Sequence, residues 1–170
     1  INDIQKITGY NSQITAGSEI VAFDEVSKKM FITNGASNQI DVIELSYDKN
    51  SKVTTSTKTT SIDLSSYGAS VQSVSVKNQK VAVAVGSANK STTKGSVVIF
   101  DTLGNHIKTV EVGYLPDMVT FNESGTKIVV ANEGEPDENY VDPAGTVGII
   151  DIENNYAYSD VGFENVTIPE

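Results

Sequence analysis

The chain has 170 residues, 38% hydrophobic and 20% charged, enough apolar material for a packed core and too much for a disordered acidic chain. A net charge of −10 argues against a nucleic-acid partner, and the absence of cysteine removes disulfides, thiolate zinc sites and a cysteine nucleophile. No apolar run approaches the roughly 20 residues that cross a bilayer as a helix.

Residues 1–18 read as an extra outer strand, within 4–10, and a connection. From Glu19 onward one unit recurs three times as turn, strand, turn, strand. In the first copy strand A spans 20–23, B 29–33 and C 39–45, and D falls within 53–64. The Ser/Thr/Lys run at 50–61 fits an exposed outer strand, or alternatively an O-glycosylated or cell-wall spacer. The second copy reads A 73–76, B 80–85, C 96–101 and D 106–112; the third reads A 118–121, B 127–132, C 146–151 and D near 161–168. Phe23 and Asn34 stand eleven apart, as do Phe121 and Asn132, and the middle copy has a turn two residues shorter. Val, Ile and Thr dominate the segments, Gly, Asn and Ser punctuate them, and no 3.6-residue apolar period is sustained, so almost no helix is expected.

Repetition at roughly 45 to 53 residues with about four strands per unit is the pattern of propeller blades. The expected fold is all-β, with about three blades of four antiparallel strands covering about 19–65, 70–113 and 116–168. A propeller closes with about four to eight blades. Three leave open edges, so the expectation is part of a larger propeller whose edges meet its remainder or another chain. An ending that follows directly on a strand agrees with this.

In a blade that runs down, up, down, up, the connection into strand A and the loop from B to C share a face. For the third unit this joins 113–117 to 132–145 and gathers Asp117, Glu133, Glu135, Asp137, Glu138 and Asp142. Such carboxylates repel unless solvated or neutralised, and calcium tolerates irregular oxygen geometry best. These six are the candidate metal ligands. The spacing is not that of an EF-hand, so a solvated loop shaped by Pro136 and Pro143 stands beside the calcium reading. Glu19 and Gln72 occupy the positions matching Asp117, and Asn34 matches Asn132, which makes one polar face where a small ligand could sit. Lys90 and Lys94 on that face read as solvated.

His106, the only histidine, reads as an exposed turn residue. No Gly-x-Ser-x-Gly elbow and no phosphate-binding glycine loop occurs. A carboxylate pair such as Glu133 with Asp117 leaves acid–base chemistry open. Asn-x-Ser/Thr sequons lie at Asn89, Asn122 and Asn165.

The stretches Gly113-Tyr-Leu-Pro-Asp-Met-Val-Thr-Phe121, Ser124-Gly-Thr-Lys-Ile-Val-Val-Ala-Asn-Glu-Gly-Glu-Pro136 and Val141-Asp-Pro-Ala-Gly145 resemble the choice-of-anchor I proteins. Those are secreted bacterial β-propellers similar to mesenchyme-specific cell-surface glycoproteins tied to biomineral formation. The segments Glu19-Ile-Val-Ala-Phe23, Phe31-Ile-Thr-Asn-Gly35, Val81-Ala-Val-Ala-Val85 and Gly95-Ser-Val-Val-Ile-Phe100 fit the same pattern, so the resemblance covers most of 19–152. It implies a secreted, cell-surface or cell-wall module for binding, adhesion or scaffolding, with an extracellular ligand or cell-wall component as partner and calcium as the one implied cofactor. The phosphatase label attached to some relatives does not carry over, because the segment lacks a serine nucleophile and His/Asp metal clusters. The alternative is part of a secreted phosphoesterase or hydrolase with its site on the acidic face.

Overall fold

A computed structural model of the chain describes residues 17–163. The extra strand expected within 4–10, the sequon at Asn165 and most of the expected final strand lie outside them. Among the described residues twelve strands form three sheets of four, each a meander of antiparallel neighbours. Blade 1 holds β1 (Ser18–Asp24), β2 (Lys29–Asn34), β3 (Gln39–Asp48) and β4 (Val53–Asp63). Blade 2 holds β5 (Ser70–Lys77), β6 (Lys80–Gly86), β7 (Ser96–Asp101) and β8 (His106–Glu111). Blade 3 holds β9 (Pro116–Phe121), β10 (Lys127–Asn132), β11 (Thr146–Asp151) and β12 (Ala157–Val161). One helical turn, Gly35–Ser37, occurs among the described residues.

The elements follow the expected pattern with one correction. The last strand begins at Ala157, not near 161, because Asn155 and Tyr156 adopt left-handed backbone (φ 51° and 61°) and turn the chain back two residues after Glu153. The short turn of the middle copy has the same cause. Asn78 and Gln79 (φ 49° and 60°) link Lys77 and Lys80, which pair directly across the hairpin. In the third copy the longer turn is closed by Asn122, whose Oδ1 accepts from the amides of Thr126 and Lys127 at 2.9 Å each. The Ser/Thr/Lys run forms the turn into β4 and most of that outer strand.

Blades stack face to face. Phe31, Ile40 and Val42 of blade 1 pack against Val74, Val83 and Phe100 of blade 2 in one buried cluster. Ala84, Val97 and Ile99 on blade 2's other face pack against Val119, Ile128 and Ile150 of blade 3. Strand β6 therefore meets apolar neighbours on both sides, and Val81 through Val85 are each fully buried. Strand β10 is as apolar in sequence, yet among the described residues only its blade 2 side is covered. Met118, Ile149 and Val161 on the other side are 49%, 37% and 67% exposed, whereas the blade 2 residues matching the last two, Ile99 and Val110, are 0% and 8% exposed.

Candidate functional site

Each innermost strand shifts register at its start. In β5, Val71 pairs with Val85 and Ser73 with Ala84, which leaves Gln72 as the extra residue. In β9, Pro116 pairs with Asn132 and Met118 with Ala131, which leaves Asp117. In β1, Ser18 pairs with Asn34 and Val21 with Ile32, so Glu19 lies in the matching irregularity. A bulge re-aims a side chain that would otherwise join the alternation. The polar residues that the repeat aligns therefore fall at matching places: Gln72 and Asp117 are bulge residues, and Glu19 lies within the register shift of β1.

Gln72 and Asp117 line one cleft of about 460 Å³ between blades 2 and 3, with Ser70, Lys90, Glu133 and Glu135 among its walls. The connection into β9 and the loop after β10 do share this face. The Glu133 amide donates to the Leu115 carbonyl at 2.9 Å and the Gly134 amide to the Tyr114 carbonyl at 3.2 Å. Gly134 has φ 67°, and a side chain there would run into the Pro143 carbonyl, so glycine is required where the loop doubles back. Beneath the loop, buried Asn132 accepts from the Gly113 amide at 3.0 Å and donates to Thr146 Oγ1 at 2.9 Å and to the Tyr158 hydroxyl at 3.2 Å.

The six expected metal ligands separate. Asp117, Glu133 and Glu135 line the cleft. Asp137 is spent on holding the loop: Oδ1 accepts from the amides of Asn139 (2.8 Å) and Val141 (2.9 Å), and Oδ2 accepts from Ser91 Oγ of the neighbouring loop (3.0 Å). Glu138 and Asp142 are exposed and outside the cleft lining. Among the described residues no three His, Cys, Asp or Glu side chains come together as metal ligands. Lys90 is not simply solvated but ion-paired with Glu135 across the two loops. Both side chains are nearly half exposed, so the pair contributes about 0–1 kcal/mol and positions more than it stabilises.

Hydrogen bonding holds the Asp137 carboxyl below the usual aspartate range, the Val141 amide contributing most. The sign follows: this group is more acidic folded than unfolded, so its support of the loop is complete above the ordinary aspartate pKa and is lost as pH falls through the lowered value. In an NMR titration the Val141 amide is expected to shift with an inflection below the ordinary value of about 3.9. An inflection at or above it would remove the role assigned to these bonds.

Sequence reasoning missed Ser70, Ser87 and Lys90 as cleft residues. The signal was present, because the 87–95 loop occupies in blade 2 the place of the 133–145 loop in blade 3. His106 is exposed at the start of β8, stacked on Tyr67 at 5.4 Å and edge-on to Phe100 at 6.0 Å, with Nε2 2.9 Å from Thr109 Oγ1. It lies outside the cleft. Among the described residues no helix is long and apolar enough to cross a membrane.

With the geometry in place, comparison with known proteins is informative about the fold. The family model of the Choice-of-anchor I domain matches residues 19–169. No curated protein matches the chain. Among solved structures, hydrazine synthase of Kuenenia stuttgartiensis is similar at 16% identity and a TM-score of 0.58, with 85% of this chain and 37% of that one covered. A luciferin-regenerating enzyme is similar at 15% identity and a TM-score of 0.55, with 88% and 46% covered. Both are propeller-type folds, and at this identity they show the fold alone. The chain spans less than half the length of either.

Proposed function

The chain belongs to the choice-of-anchor I domain family, and from that premise we propose that it is a non-enzymatic binding module working outside the cell. Its ligand sits in the cleft between blades 2 and 3, and the three blades form part of a larger propeller. The observation that carries this reading is the repeated bulge, which turns Gln72 and Asp117 into a cleft walled by Ser70, Lys90, Glu133 and Glu135. Carboxylates accept hydrogen bonds and donate none, and Lys90 is already engaged with Glu135. The ligand the cleft suits is a small polar molecule rich in donors, with amine or hydroxyl groups.

A second reading places calcium there, favoured by three carboxylates lining one cleft. It requires Lys90 to release Glu135 and the carboxylates to close in, since oxygen ligands must approach calcium to about 2.3–2.6 Å.

Thermal melts against amino sugars, neutral sugars, polyamines and millimolar calcium separate these readings, because a ligand that binds only the native state raises the melting temperature. The expected result is a rise with a donor-rich organic ligand, lost when Gln72 and Asp117 are both replaced by alanine. A rise with calcium alone, abolished by Glu133→Ala with Glu135→Ala, supports the second reading. Metal-dependent turnover of a simple phosphate ester, lost in Asp117→Asn, would overturn both in favour of a phosphoesterase.

A further inference from the structure

The chain has no cysteine, so no disulfide ties its strands together. Blade 1 nevertheless gathers three side chains that can form a covalent link. Asp41 has no exposed surface and Asn34 is 1% exposed, which buries a carboxylate beside a primary amide. Asn34 Nδ2 donates to Asp41 Oδ2 at 3.1 Å, and Lys58 Nζ donates to Asp41 Oδ1 at 2.6 Å. One carboxylate thus holds an amide with one oxygen and an amine with the other. Asn34 closes β2, Asp41 lies in β3 and Lys58 in β4, so three neighbouring strands meet at this point. The Lys58 side chain keeps 41% of its own surface, but its ammonium ends on a carboxylate that has none.

The surroundings prepare the amide for attack. Asn34 Oδ1 accepts from the Ser37 amide at 3.3 Å, where an N–H steadies negative charge as it develops on that oxygen. Gln39 Nε2 at 2.7 Å and Ser61 Oγ at 2.9 Å donate to Asp41 Oδ1 beside the lysine and fix the carboxylate between amine and amide. Groups held in this way react as parts of one molecule, without the entropy cost of an encounter.

We propose that Lys58 and Asn34 become joined by an isopeptide bond that the chain forms itself, with Asp41 as general base and then general acid. Burial favours the neutral pair over the charged one, so Asp41 takes a proton from the Lys58 ammonium. The Ser61 hydroxyl then turns to accept from the protonated acid. Neutral Nζ gives its electron pair to Asn34 Cγ, and the oxygen, now negative, rests on the Ser37 amide. Asp41 passes a proton to Nδ2 and receives one from Nζ. The bond from Cγ to Nδ2 breaks, the bond from Cγ to Nζ remains, and the nitrogen of Asn34 departs as ammonium. Nothing is oxidised or reduced, since one amide replaces another. The link constrains the unfolded chain as a disulfide would, and it fastens the outer strand β4. It lies in blade 1 and does not depend on what the cleft binds.

Intact-mass spectrometry of the folded chain, with a tryptic map, is the test. The expected mass is one ammonia below that of the sequence, with a branched peptide joining positions 34 and 58 and no cleavage after Lys58. Asn34 precedes Gly35, and such a pair can also lose ammonia alone by closing a succinimide. Lys58→Arg separates the two routes, because a guanidinium keeps the ion pair with Asp41 and does not attack the amide. That variant is expected to show the full mass of its sequence and to melt about 5–10 °C lower. Asp41→Asn is likewise expected to keep its full mass. An unmodified chain after prolonged incubation of the folded protein would overturn the proposal. So would ammonia loss that persists in Lys58→Arg, or a map that places it elsewhere. Cross-linking undiminished in Asp41→Asn would overturn the role given to that carboxylate. Should Asp41→Asn fail to fold, Lys58→Arg alone decides whether the bond exists.

Discussion

Replacing Phe100 with alanine is expected to cost about 3–5 kcal/mol of stability. The ring is 2% exposed, at the end of β7, and fills the seam between blades 1 and 2 together with Phe31 and Val42. Tyr67 meets it edge-on at 5.7 Å and His106 at 6.0 Å, so truncation removes apolar contact and also unseats two aromatic neighbours. Sheets in ladder cannot slide inward to fill the space, which places the cost toward the upper part of that range. Urea denaturation measures it directly, and in a chain of this size the melting temperature should fall by about 10 °C. Phe100→Leu keeps most of the volume and should lose about 1 kcal/mol. If alanine cost no more than leucine, the seam between blades 1 and 2 would not be the close-packed one the geometry indicates.

Asn132→Ala is expected to cost about 2–4 kcal/mol, for a different reason. The side chain is 3% exposed and serves three partners: the Gly113 amide, the Thr146 hydroxyl and the Tyr158 hydroxyl. The Tyr158 hydroxyl passes the chain of bonds on to Asp160 at 3.3 Å, and burial pushes its pKa up, so it remains a protonated link. Alanine leaves a buried amide without an acceptor, which costs more than the bond itself was worth. The bond from Gly113 joins the end of blade 2 to blade 3, so the damage should spread to the cleft above. Asn34→Ala at the matching place in blade 1 is a useful companion. There the side chain accepts from the Ser37 amide at 3.3 Å and donates to buried Asp41 at 3.1 Å. Chemical denaturation of both single variants and the double one should show nearly additive losses, because the two networks share no partner.

The architecture was legible in the sequence because period-2 apolar runs, hairpin turns and a long repeat all point to one arrangement. The recurring asparagines at positions 34 and 132 were legible as a matched pair but read as part of a polar face open to a ligand; both are in fact buried, at 1% and 3% exposed, because their amides are used to hold their own loops. The acidic loop was legible as a place and not as a ligand set. Whether neighbouring carboxylates converge depends on backbone direction, and Asp137 turns its Oδ1 to the Asn139 and Val141 amides and its Oδ2 to the Ser91 hydroxyl. Lys90 was hidden because its partner comes from another blade. The Ser/Thr/Lys run hid most. It reads as an exposed outer strand, and much of it is, yet Lys58 Nζ at 2.6 Å and Ser61 Oγ at 2.9 Å reach back to Asp41, a carboxylate with no exposed surface. Low complexity conceals such contacts, since every serine and lysine in the run looks alike until register chooses which of them face inward.

The unequal covering of the blades gives the molecule a direction. Blade 2 is clamped from both sides, while blade 3 rests on it by one face and turns Met118, Ile149 and Val161 to solvent. In a stack held by nearest-neighbour contacts, cohesion is shared unequally: the middle unit lets go last and an end unit first. Among the described residues strand β12 pairs only with β11 and forms the edge of blade 3, and the loop bearing Glu133 to Asp142 belongs to that same end blade. Whatever settles on blade 3's bare face would therefore steady that end blade from behind, so that closing the stack and steadying the blade that carries the acidic loop become a single event.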